Sequence, residues 1–408
     1  MYAYSVQWVQ LHRTPPPYYS PPIQPPILHI ILYRIMTTST EDELKELEEK
    51  AREAYSQGQL DDALAIYKKR AELAKEQPEE LASTHKSMGL ILHDRGDWEK
   101  SLVELEEALK IQMQMQMQTQ MSLHVNDKAY AEDAHAAHAA FHLSIANTHL
   151  NLAEVYRAMD NLEIALHHLQ EAMHVQKLHA PESLLLAETY NSIGTIFGEV
   201  GNYKMALDFH TPCWEIRMRL CPNTLVTSCS ASNIGLILYK MGKLESALNY
   251  LDKALEIEEQ FIPNTLDLAD SYSNVGEVLF KMDKHEEALH KFKLALNLKN
   301  EISPNSLDVA KTNSDIGWVL LKMNQPSQAQ QHFQEAIDLE EHFIPDSEEL
   351  GQTYGSLMQC LQQQGLPIPS DLAEKMHRIL AMNGEKEELL KDGELHNASE
   401  VRMRDVVE

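Results

Sequence analysis

The sequence predicts an all-α fold, a solenoid of stacked helix-turn-helix units. Three observations predict it: a recurring proline joint, rows of small residues in the same register, and a composition rich in helix formers. Pro181, Pro222, Pro263, Pro304 and Pro345 stand 41 residues apart, and two residues after each comes Ser183, Thr224, Thr265, Ser306 or Ser347. Proline stops one helix and the hydroxyl caps the next, so each pair marks a joint between helices. A fixed period of this length is the sign of a repeat architecture, in which each unit buries its apolar face against its neighbours.

Between the joints the same period selects small side chains. One row is Ala153, Gly194, Gly235, Gly276 and Gly317; a second is Ala165, Ala206, Ala247, Ala288 and Ala329; a third is Ala172, Cys213, Ala254, Ala295 and Ala336. Small residues let two antiparallel helices approach closely. Large apolar rows flank them, with Ile193, Ile234, Val275 and Ile316 one place before the first row and Phe197, Leu238, Leu279 and Leu320 three places after it. Those offsets share one helical face. Gly201-Asn202, Gly242-Lys243, Asp283-Lys284 and Asn324-Gln325 fall between the paired helices, and Gly, Asn and Asp accept the left-handed conformation that ends a helix.

Composition agrees. The 408 residues are 43% apolar and 24% charged, with 15 glycines and 7% aromatics, which disfavours a strand-rich fold and wholesale disorder. The formal charge is 35 − 62 = −27, so nucleic acid and anionic membranes are not expected partners, whereas basic peptides remain open. Four unevenly placed cysteines do not make a disulfide framework and suggest a reducing compartment, the cytoplasm. No apolar stretch is long enough to insert into a membrane; Ile27 to Ile35 is too short.

The pattern of a small residue on the first helix, then Ala twelve and nineteen places later, resembles the tetratricopeptide repeat family across residues 44–345. Gly58 with Ala63 and Gly96 with Ala108 keep the signature in the first half. The resemblance implies a right-handed α-solenoid of about seven helix-turn-helix units with a C-terminal capping helix. A spacing of 41, against the usual 34, is similar to the long repeats of kinesin light chains, which bind cargo adaptors. Their heptad coiled coil is missing here, so kinesin association is not implied.

The expected organisation is a Pro/aromatic-rich disordered segment at 1–39, two irregular units at 40–112, a Met/Gln/His-rich insertion at 113–143, five regular units at 144–345, capping helices at 346–382 and a charged tail at 383–408. Translation is expected to begin at Met36, with Thr40-x-x-Glu43 as a capping box at the first helix. Pro15-Pro16-Pro17-Tyr18 has the form of a WW-domain ligand, a match that arises often by chance. Pro212, inside a second helix, predicts a kink or hinge, against the plainer reading of a locally tolerated bend.

No enzyme signature is present: no phosphate-binding P-loop, no HExxH and no GxSxG. The family resemblance implies instead a concave groove, lined by the first helices, that holds a peptide. A polar ladder of Asn151, Ser192, Asn233, Asn274 and Asp315, with Asn191 and its serine equivalents beside it, would hydrogen-bond a peptide backbone. A second row, Lys240, Lys281 and Lys322, with Tyr239, Phe280 and Trp318, would grip an acidic segment. The plainer reading of those lysines is that they complement helix dipoles.

The expected function is therefore a non-enzymatic scaffold or adaptor for protein or peptide partners, with no cofactor. Two alternatives stand beside it. One is a regulatory subunit or sensor module controlling an enzyme on another chain. The other is a metal-binding protein using His135, His138 and His142, which share a face at i, i+3 and i+7 but lack Cys or carboxylate ligands beside them.

Overall fold

In the computed structural model the backbone is described for residues 25–123 and 131–379, and the side chains for 40–119 and 136–379. The helices pair in chain order. The first two pairs are α1 (Pro25–Ser56) with α2 (Leu60–Leu73) and α3 (Pro78–Asp94) with α4 (Trp98–Leu123). The third is α5 (Ala131–Ala158) with α6 (Leu162–His179), and the fourth α7 (Leu184–Glu199) with α8 (Tyr203–Leu220). Then follow α9 (Leu225–Lys240) with α10 (Leu244–Phe261), α11 (Leu266–Lys281) with α12 (His285–Ile302), and α13 (Leu307–Lys322) with α14 (Pro326–Phe343). The chain closes with α15 (Glu348–Gln363) and a helical stretch at 370–379. Each helix also packs on its successor, and α7, α9 and α11 touch the first helices of adjacent units, which is a solenoid. Among the described residues no strand occurs.

The turn within every pair has one residue at positive φ: Gly58, Gly96, Asp160, Gly201, Gly242, Asp283 and Asn324, at φ between 57° and 82°. The amide after it closes the helix end, as in Lys243 N–H to the Leu238 carbonyl at 2.9 Å and Gln325 N–H to the Leu320 carbonyl at 2.9 Å. Gly365 repeats the same turn at φ 69°, 41 residues after Asn324, so α15 and 370–379 form an eighth pair of the same design. At the joints, Ser183, Thr265, Ser306 and Ser347 accept the expected capping bonds from Leu186, Leu268, Val309 and Leu350 N–H. Thr224 does not; its hydroxyl donates instead to the Cys221 carbonyl at 3.0 Å.

The glycine row faces large residues sixteen places on. A Cβ on Gly235 would lie 2.6 Å from Leu251, on Gly276 3.0 Å from Phe292 and on Gly317 2.8 Å from Phe333, so a larger residue at these sites forces the facing side chain to shift. The alanine rows and Cys213 are fully buried. One continuous core runs from Ile234 to Ile379. Four smaller cores serve the earlier units, around Ile193 and Phe197, around Leu64 and Tyr67, around Leu186 and Cys213, and around Leu105 and Leu152.

A row that sequence reading did not single out joins the units to one another. Gln176, Arg217, Glu258, Lys299 and Glu340, again 41 apart, are all buried near the ends of second helices. Two of them bond to hydroxyls on the next first helix: Arg217 donates to Ser230 at 2.7 Å and Lys299 to Thr312 at 3.2 Å. Arg70, bonded to Thr84, and Gln112, which accepts from Thr148 at 2.9 Å, hold the same place earlier in the chain.

Two expectations are corrected. Helix α1 begins at Pro25, so residues 25–39 are helical rather than disordered and Thr40 lies inside α1 instead of capping its start. Residues 1–24, with the Pro15–Tyr18 motif, and the tail from 380 lie outside the described residues. Pro212 lies within α8, which is continuous from Tyr203 to Leu220, an arrangement compatible with either a kink or a tolerated bend. The Met/Gln run continues α4, whose 26 residues exceed the 18 of the regular second helices; Met117 is 60% exposed.

Candidate functional site

The first helices of consecutive units lie side by side, which sets residues 41 apart next to one another across helices. Asn233 Nδ2 donates to Asn191 Oδ1 at 2.9 Å, and Ser192 donates to Glu154 at 2.6 Å, so this end of the polar ladder is bonded to itself. Arg157 adds ion pairs to Glu154 at 3.2 Å and Glu199 at 2.9 Å. At the other end the ladder is open: the buried Asp315 Oδ2 and Ser314 Oγ have no hydrogen-bond partner, nor does Asn151 Nδ2 near the start.

That open end forms a recess of about 180 Å³ between α9, α11 and α13, walled by Tyr239, Phe280 and Trp318, with Glu277 and Asp315 inside and Lys281 beside them. The structure thus joins five of the predicted residues, Tyr239, Phe280, Lys281, Asp315 and Trp318, and adds Glu277. Asn274 lies on α11, half-buried, while Asn151 and Asn191 belong to earlier units. Of the lysine row, Lys240 sits 5.8 Å from the Tyr239 ring centroid, and all three lysines occupy the exposed last turn of a first helix. Position alone therefore supports the dipole role as well as a binding one. Trp318 is 38% exposed and meets Phe333 edge-on at 5.9 Å between centroids, which fixes its ring at the mouth.

Asp315 is the most perturbed acid here. Burial, and then the neighbouring Glu277 carboxylate, push its pKa up to about 7 against the opposing pull of Lys311 and Lys299. Lys299 is committed to Asp270 at 2.9 Å and to Thr312, and Lys311 lies 3.8 Å from Glu277 but is largely exposed. Burial also raises the Tyr239 hydroxyl. A larger recess, about 490 Å³, opens between α3, α4 and α5 beside Lys86, Met115 and Phe141; burial lowers the Lys86 pKa.

The histidine row is only partly as expected. The His135 side chain lies outside the described residues. His138 and His142 approach, Nε2 to Nε2 at 3.0 Å, and His179 of α6 stacks on His142 at 5.2 Å. Burial, then His138 and His179, depress the His142 pKa. Among the described residues no three His, Cys, Asp or Glu side chains form a group that could hold a metal ion.

A family model of the tetratricopeptide repeat matches residues 144–217, 226–301 and 267–341. The chain carries tetratricopeptide repeats. The matched stretch contains the recess and all the polar and lysine rows. No curated protein sequence matches the chain. Among solved structures, the repeats are similar to a signal transduction ATPase with numerous domains, with a tetratricopeptide repeat sensor, from Pyrococcus horikoshii: TM-score 0.61 and 16% identity over 88% of this chain, which spans 50% of that one. They are also similar to BtubC from P. vanneervenii, at TM-score 0.48 and 15% identity over 60% of this chain and 91% of that one. A putative kinesin light chain with TPR-like repeats from Podosopora anserina gives TM-score 0.43 and 10% identity over 48% and 95%. At these identities the likeness concerns the fold. No helix among the described residues is long and apolar enough to cross a membrane.

Proposed function

We propose that the protein is a non-catalytic scaffold that holds a segment of another polypeptide in the groove lined by its first helices. The single observation that carries this reading is the recess between α9, α11 and α13, lined together by three aromatic side chains and by Asp315, one of whose carboxyl oxygens is buried and without a partner among the described residues. Burying a polar atom without a partner is costly, and a groove awaiting a ligand is a setting in which that cost is recovered. The exposed lysines along the same edge favour acidic residues in the flank of the bound segment. Four free cysteines, two of them buried, fit a reducing compartment, and we place the protein in the cytoplasm.

Selection from a random peptide display library on the full chain tests the reading. The expected result is a set of peptides that compete with one another and lose affinity about ten-fold or more on Trp318→Ala, the loss typical of an anchoring aromatic. Peptides indifferent to Trp318→Ala and Phe280→Ala, or no peptide at all, would contradict it. The regulatory alternative uses the same groove and differs in its partner. Purification from the native source would then give one enzyme at fixed stoichiometry instead of several unrelated proteins.

A further inference from the structure

We infer that the recess between α9, α11 and α13 is a specificity pocket for one cationic side chain, lysine or arginine, of the bound polypeptide. The inference rests on the groove reading and sharpens it. At about 180 Å³ the recess is smaller than the usual small-molecule site and suits a single side chain. Its lining includes the aromatic residues Tyr239, Phe280, Phe292 and Trp318, a residue class that attracts cations. Two carboxyl groups, Glu277 and Asp315, stand inside it. The Asp315 Oδ2 atom is buried and has no hydrogen-bond partner among the described residues, so it is an acceptor that an ammonium or guanidinium donor completes.

The cations already present do not fill this role. Lys299 is bonded to Asp270 and Thr312, Lys311 is a loose, exposed partner of Glu277, and Lys281 lines the recess from the last turn of α11. An acidic side chain entering here would bring a third carboxylate against two. The lysine row alone pointed to an acidic ligand; inside the recess the charge complement is the opposite, and the chain's net charge of −27 draws basic segments in the same sense.

The charged and titratable groups facing Asp315 are Glu277 and Lys281 on α11, Lys299 on α12, Lys311 on its own helix and the Tyr239 hydroxyl on α9. With Asp315 at about 7 in the free protein, a cation that requires the ionised form binds more weakly as pH falls. The ionised share goes from about 9% at pH 6 to about 91% at pH 8, so affinity rises up to about ten-fold over that interval.

The test titrates N-acetyl-L-arginine amide and, in parallel, N-acetyl-L-glutamate amide into the full chain labelled with 5-fluorotryptophan. The ¹⁹F resonance of Trp318, assigned by its loss in Trp318→Phe, is the readout. The expected result is a saturable shift with the arginine compound, up to about ten-fold weaker at pH 6 than at pH 8, and abolished in Asp315→Asn with Glu277→Gln. No shift with the arginine compound at pH 8, a larger shift with the glutamate compound, or a shift that survives the paired substitutions would overturn the inference. If the paired variant does not fold, the preference of the unsubstituted chain for the arginine over the glutamate compound, with its weakening toward pH 6, decides. Peptide selection judges the groove reading separately, because selected peptides without a basic residue would preserve that reading while sinking this one.

Discussion

At Gly317 and Asp315 a few ångströms separate a packing role from a binding one. Gly317 is required because Phe333 occupies the space a Cβ would take, 2.8 Å away. Gly317→Ala gains about 1 kcal/mol of helix propensity but overpacks a core site at about 1–3 kcal/mol, so the variant is expected to be less stable. Urea unfolding of Gly317→Ala, Phe333→Leu and the double variant checks the cause: the double variant should lose less than the sum of the singles. Two positions away, Asp315 is held where its charge is disfavoured. A carboxyl whose folded pKa is raised adds stability as pH falls through that value, so Asp315→Asn is expected to stabilise the free protein most above pH 7. Melting curves at pH 6 and pH 8 check it, and equal changes at both would count against the burial argument. Asp315 was legible as a ladder position from its spacing. Glu277 was not, because its equivalents Leu236 and Trp318 are apolar and no row of like residues marks it.

Pairs of helices show what the period encodes and what it hides. The left-handed turns and capped joints were legible because each needs a particular residue chemistry, Gly, Asn or Asp in the first and a hydroxyl in the second. The buried row from Gln176 to Glu340 was hidden because only its burial and reach recur, while its residue type changes at almost every unit. Glu258 and Glu340 have pKa values raised by burial, opposed by the facing Ser271 and Thr353 hydroxyls. Glu258→Gln and Glu340→Gln are therefore expected to match or exceed the parent's stability at pH 8, with the gain shrinking toward pH 5; a loss at pH 8 would show that their charge holds the units together. Three histidines, His210 buried and His149 and His168 half-buried, act in the opposite sense. His149, His168 and His210 are depressed to about 4, in each case first by burial. The unfolded chain takes up protons near pH 6.5 that the folded chain refuses until about 4, so stability falls as pH drops through that window. His210 faces Gly194 as Leu251 faces Gly235, and His210→Leu should flatten part of the loss, measured as melting temperature between pH 7.5 and pH 5.

Over the whole molecule, each unit is stabilised mainly by its neighbours, which makes the ends decisive. Helix α15 covers α14, and Leu372 and Ile379 of the last helical stretch close the core that begins at Ile234. Removing residues from 346 onward uncovers Phe333 and Ile337 and deletes the burial of six or so large side chains, each contributing roughly 1.5–3 kcal/mol. The truncated chain is expected to melt earlier and self-associate on size exclusion; an unchanged melt would mean that α14 closes the solenoid by itself. The same stacking lays α9, α11 and α13 side by side and so assembles one recess from three repeats. The most direct test of that groove is hydrogen exchange on the full chain with and without a display-selected peptide. Protection concentrated in α9, α11 and α13 is the predicted result. Protection confined to α10, α12 and α14 would place the bound segment on the opposite face and contradict the account.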